Sequence, residues 1–245
     1  MNQNKVFIKS YHDVVHHVTR ALIKPNMKIG LGSGPVILIL IDWLIDNAKH
    51  PKCKGLVIFC TDLPHVKWLT EAGYETHHNL PDDDRGIYNK FQLDYFFEMQ
   101  DKMNQDSAFV KFSPDCIVRK SYYEAAIESV FFYRYVDDRK YQPLDVIPLE
   151  ISSLFFTRLK FLLNSKSACI EPDVPDNDND ILQIKWILKP AKSELIKDMA
   201  CYKNTLRNIH GIIAHGFFTS LCGYMVEICE LSKKQTMYMT TTRYG

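Results

Sequence analysis

The residues with the plainest chemical potential lie in Met27–Val36, M-K-I-G-L-G-S-G-P-V. Gly30, Gly32 and Gly34 alternate there with Leu31 and Ser33, after an apolar approach and before a long hydrophobic segment. Such a run reads as a strand–turn–helix in which the backbone bends tightly and leaves room for an anion at a helix N-terminus. The same pattern also makes a bare helix entry with no ligand. Other candidates stand on less. His12, His16 and His17 can put two imidazoles on one helical face, but no H-E-x-x-H follows, and a solvated face explains them. Asp176, Asp178 and Asp180 have the one–three–five spacing of a calcium loop. Ile181 and Ile187 stand where such a loop needs glycine and glutamate, so a surface turn is expected. Cys116 has no neighbouring histidine in sequence and reads as a packed thiol.

The elements that must position these residues follow from periodicity. Ser10–Ile23 places Val14, Val15, Val18 and Leu22 at helical spacing, and Pro25 ends the pattern. Met27–Leu31 is expected as a strand and Pro35–Asn47 as a helix, with Pro35 suited to its first position. Gly55–Cys60 reads as a buried strand and Leu63–Ala72 as a helix capped by Gly73. The polar stretch Asn79–Lys90 reads as a loop, Leu93–Phe97 as a strand, Ser121–Val130 as a helix and Phe131–Val136 as a strand. This alternation implies an α/β fold, a parallel Rossmann-like sheet covered by helices on both faces. Later the pattern changes: short strands at Asp145–Ile147 and Ala168–Ile170 around a helix near Glu150–Leu163, then a strand at Asp180–Leu188. A helix around Ser193–Arg207 and strands near Ile212 and Tyr224–Cys229 complete it. The expected organisation is a core domain of residues 1–148 and 209–245 with a smaller α+β subdomain of residues 149–208.

The 245 residues carry 46% apolar side chains, enough for a sizeable core, and a net charge of +1. Nothing in that balance points to a nucleic-acid or membrane surface, and the N-terminus lacks the h-region of a signal peptide. Seven cysteines without a C-x-x-C pair point to reduced, mostly buried thiols in a soluble cytoplasmic protein.

Four stretches, in order, resemble type A ribose-5-phosphate isomerase. The family's G-x-G-[ST]-G-S-T is matched by Gly30-Leu31-Gly32-Ser33-Gly34-Pro35-Val36, and its P-[VI]-E-V-I-P-M by Pro143-Leu144-Asp145-Val146-Ile147-Pro148-Leu149. Its V-T-D-N-G-N-x-I-L-D is similar to Val174–Gln183, and its I-P-G-V-V-x-x-G-L-F to Ile209–Phe218. The resemblance implies interconversion of ribose 5-phosphate and ribulose 5-phosphate, a step of the pentose phosphate pathway, through an enediolate. It implies no cofactor and no metal, and self-association into homodimers or homotetramers. Spacing carries the family's D-G-A-D-E onto Glu98-Met99-Gln100-Asp101-Lys102 and its glycine-loop lysine onto Lys111. The resemblance then assigns Asp101 and Glu98 to ring opening and hydroxyl contacts, Lys111 to the enediolate, and Ser33, Gly34 and Lys140 to the phosphate.

Several residues depart from the pattern. K-G-G-G-G has become Lys111-Phe112-Ser113-Pro114-Asp115, and the base position nine residues after Lys111 holds Lys120. Glu124, one helical turn on, is the candidate for a relocated base. Pro35 deletes an amide and Val36 a hydroxyl from the first loop. Loss of a positioned base alone costs about 10²–10⁴-fold in rate. Two readings therefore stand: a divergent isomerase, or a catalytically degenerate relative that keeps the fold as a binding or protein-interaction module with an unknown protein partner.

Overall fold

The computed structural model describes residues 5–81, 91–103, 109–111, 116–137, 139–142, 146–155, 157–158, 168–172, 181–188, 209–218, 222–232 and 236–244. It divides into two compact units: Met1–Met99 with Ser121–Lys140 and Leu221–Gly245, and Gln100–Lys120 with Tyr141–Ser220. The second unit is larger than the expected subdomain, because it also takes in 100–120, 141–148 and 209–220.

The first unit opens with strand β1 (Val6–Ile8) and helix α1 (Tyr11–Leu22). The Asp13 carboxylate accepts the amides of Lys9 (2.7 Å) and Ser10 (3.3 Å), fixing the helix start. Strand β2 (Lys28–Leu31) leads into α2 (Pro35–Asp46), β3 (Val57–Cys60), α3 (Leu63–Glu71), β4 (Glu75–His77) and β5 (Leu93–Gln100). Strands β2, β3, β4 and β5 pair in parallel, as the expected β–α alternation requires. Helix α4 (Cys116–Ala125) precedes β8 (Ala126–Val136), and the chain's end supplies β14 (Gly223–Leu231) and β15 (Thr236–Tyr244). The resulting sheet has eight strands in the order β1-β15-β14-β8-β5-β2-β3-β4. Strand β14 runs parallel to β8, whereas β15 is antiparallel to β14 and β1 to β15, so the sheet is mixed.

Helices cover both of its faces. Val14, Val18, Leu40, Ile41 and Leu69 of α1, α2 and α3 form one buried cluster with Ile29, Leu31, Ile58, Phe97 and Val226. On the other face Tyr122 of α4 sets the edge of its ring against Phe59 and Phe96. Its hydroxyl donates to the Cys60 carbonyl at 3.2 Å.

The second unit holds β6 (Lys102–Met103), β7 (Phe109–Val110), β9 (Val146–Ser152), β10 (Ala168–Pro172), β11 (Ile181–Leu188), β12 (Ile212–His215) and β13 (Phe217–Phe218). They form a four-stranded sheet, β10-β11-β9-β12, and a three-stranded one, β13-β7-β6.

Two expectations need correction. The helix placed at Ser121–Val130 instead spans Cys116–Ala125, and Ala126–Val130 already belongs to β8. Its own residues, A-I-E-S-V, leave the choice open, and β14 decides it by pairing from Ser129 onward. The helix expected from Glu150 also fails at its start: Glu150–Ser152 is strand, paired by β11 on one side and β12 on the other. A short 3₁₀ turn, Ser153–Phe155, follows, and Thr157 and Arg158 are helical; the rest of the expected helix lies outside the described residues. The helix expected at Ser193–Arg207, the turn at Asp176–Asp180 and most of the loop before Lys90 lie outside the described residues.

Candidate active site

In the first unit the glycine turn is built around a side chain. Gly32 donates its amide to the Phe97 carbonyl at 2.8 Å, holding the turn against β5. Glu98, the next residue, is fully buried, and its Oε1 accepts the amides of Ser33 (2.9 Å) and Met99 (3.1 Å). A Cβ on residue 32 would land within 3.0 Å of that carboxylate, so glycine is what lets Glu98 lie there. Gly34, at φ 116°, caps α2 and abuts Met99. The Ser33 amide, one residue before the N-cap of α2, thus meets the chain's own carboxylate where the sequence suggested an anionic ligand.

Lys140 follows β8 in the same unit. Its Nζ lies 2.7 Å from Oε1 of Glu227 on β14, which is buried, and Thr240 of β15 donates to the other oxygen at 3.3 Å. Glu124 sits in the last turn of α4 with its side chain exposed. Burial, with the charges of Cys222 and Glu124 adding to it, holds the neighbouring Tyr123 hydroxyl up at about 12.

The second unit holds the other two candidates. Lys111, 5% exposed, has its Nζ 3.4 Å from Oδ1 of Asp101. The Lys111 amide donates to the Gly216 carbonyl at 2.9 Å, and the Gly216 amide donates to Pro148 at 2.9 Å, so β7, β9 and β12 are laced together at this point. Nearby in sequence, α4 begins with the Cys116 amide donating to Oε1 of buried Glu150 at 2.6 Å. Lys120, which stands at the family's base position, has its Nζ 2.8 Å from Nε2 of His215, itself 1% exposed. One of those two nitrogens must donate and the other accept, so two nominally basic groups share a hydrogen bond.

Sequence reasoning missed Glu150, His215, Glu227 and Gln100 as neighbours or members of these clusters. Gln100 alone offered a signal, an amide following the apolar run Leu93–Phe97. Phe112–Asp115, where the glycine loop is altered, lies outside the described residues. Among the described residues no group of three or more His, Cys, Asp or Glu side chains gathers to hold a metal ion. No helix among them is long and apolar enough to cross a membrane.

No protein-family model matches the chain, and no curated protein matches it by sequence. Its architecture is that of an α/β protein with a largely parallel sheet and a second, β-rich unit. More narrowly, it has the fold of the type A ribose-5-phosphate isomerases. The ribose 5-phosphate isomerase of Plasmodium falciparum superposes with a TM-score of 0.74 at 16% identity, covering 96% of this chain and 98% of that one. The isomerase A of Methanocaldococcus jannaschii gives 0.70 at 17% identity over 96% and 97%. A D-ribose-5-phosphate isomerase solved in complex with phospho-erythronic acid gives 0.74 at 17% identity over the whole of both chains.

Proposed function

We propose that the chain is an aldose–ketose isomerase acting on ribose 5-phosphate and ribulose 5-phosphate through an enediolate. The observation that carries this reading is the buried Lys111 ammonium paired with Asp101 on this fold. A desolvated ammonium held by a carboxylate is suited to stabilising negative charge that develops on a sugar oxygen. Asp101, a third exposed, can exchange a proton with a ring or chain hydroxyl, and Glu98 is assigned a hydroxyl contact beside it. The C1–C2 proton transfer is assigned to Glu124. The product of each cycle keeps the atoms of the substrate, so no redox partner is required. A cytoplasmic, self-associating protein is part of the same proposal.

A specific observation favours the second reading, a non-catalytic relative. Two donors that would hold a phosphate already hold carboxylates: the Ser33 amide has Glu98 and Lys140 has Glu227. A phosphate must displace both at an electrostatic cost.

The deciding assay follows ribulose 5-phosphate formation from ribose 5-phosphate by the wild type, Lys111→Ala and Asp101→Ala, with thermal melts in the presence of the sugar phosphate. Turnover that disappears in both variants excludes the non-catalytic reading. Neither turnover nor a melting shift with the wild type sinks the isomerase.

A further inference from the structure

Gln100 is the last residue of β5, a strand parallel to β2. In open α/β sheets ligands gather at the carboxyl ends of such strands. Its side chain is 2% exposed, yet neither Nε2 nor Oε1 has a hydrogen-bond partner among the described residues. A buried primary amide with none of its donors or acceptors satisfied is rare, because it loses water without replacement. Nothing in the packing calls for it either: methionine or leucine would fill the same volume without that cost.

The residue beside it sharpens the point. Asp101 and Lys111 answer each other's charge, whereas the Gln100 amide is neutral and offers two donors and an acceptor. Those groups match adjacent hydroxyl and carbonyl oxygens, not a phosphate. The resembled D-G-A-D-E pattern has alanine at this position, so the amide is this chain's own addition.

We propose that Gln100 is a ligand-binding residue, whose amide pairs with neighbouring hydroxyl and carbonyl oxygens of an open-chain sugar bound at the end of β5. This rests on the isomerase reading for the class of ligand. The amide, without a partner among the described residues of the free protein, is satisfied on binding, which places it among residues that trade stability for recognition.

The test is calorimetric titration of the wild type, Gln100→Met and Gln100→Ala with D-ribose 5-phosphate and with D-ribose, each paired with a thermal melt of the free protein. Gln100→Met keeps the volume and removes the polar atoms. It should melt at or above the wild type while binding the sugar at least about tenfold more weakly. Gln100→Ala should weaken binding similarly, whatever its own stability. A wild type that binds either sugar, with both variants binding equally well, overturns the inference and leaves the isomerase reading standing. A fixed water pairing with the amide would give that result. A wild type that binds neither sugar overturns both.

Discussion

Replacing Glu98 by alanine tests the account of the glycine turn most directly. The carboxylate is fully buried, and its Oε1 accepts from the Ser33 and Met99 amides at 2.9 and 3.1 Å. Hydrogen bonds to a charged acceptor contribute about 1.5–3 kcal/mol each, and the variant leaves both amides facing a void. Part of that loss is offset, since a buried carboxylate no longer has to be desolvated. A net destabilisation of about 2–4 kcal/mol follows. At roughly 2–4 °C per kcal/mol for a chain of this size, the melting temperature should fall by roughly 4–16 °C. The vacated turn is then an anion site at the start of α2, so inorganic phosphate should recover part of the loss in Glu98→Ala and do little for the wild type. Scanning calorimetry with and without phosphate reads both effects. A variant melting within a degree of the wild type refutes the reasoning, as does equal stabilisation of the two proteins by phosphate.

Three further outcomes are expected. Gly216→Ala would set a Cβ within 3.0 Å of the Lys111 carbonyl and the Pro148 ring, and chemical denaturation should show a loss of about 2–3 kcal/mol. Lys140→Met leaves the nearly buried Glu227 carboxylate without its ammonium; urea denaturation should register a loss of about 1–3 kcal/mol, largely restored by adding Glu227→Gln. Burial holds the Cys60 thiol up from 9.0 to about 12, and the Tyr11, Tyr95 and Tyr123 hydroxyls from 10.0 to about 12. The unfolded chain gives up these protons at lower pH than the folded one, so their contribution is complete below about pH 9 and drains away toward pH 12. Melting temperatures at pH 8, 10 and 11 should therefore step downward.

Much of the first unit could be read from sequence because its signals are local. Gly30, Gly32 and Gly34 mark the turn before α2, Pro35 its first residue, and Gly55–Cys60 a buried strand, which the structure confines to Val57–Cys60. The helix expected over Ser121–Val130 stops at Ala125 because the fate of Ala126–Val130 depends on β14, which pairs with it from a distant part of the chain. The helix expected near Glu150 starts later for a similar reason, since β11 and β12 make Glu150 part of a strand. At the site, residue types were legible and their partners were not. Glu98 is one methylene longer than the family's aspartate; only the fold shows that its carboxylate meets the Ser33 amide. Lys140 invited a phosphate role, and nothing near it in sequence announces Glu227. Long-range partners of this kind leave no periodicity to read.

The strand order carries a consequence for how the protein is made. Val6 pairs with Met239 and Ile8 with Met237, so β1, synthesised well before β15, has nothing to join until β15 has been made. Strand β8 in turn lacks β14, its parallel neighbour, until that strand has been synthesised. The nascent chain therefore carries the open, aromatic-rich edge of β8 until β14 emerges. Premature termination before Thr236 would leave β1 unpaired and one side of β14 bare, a chain prone to aggregate rather than a shorter working protein.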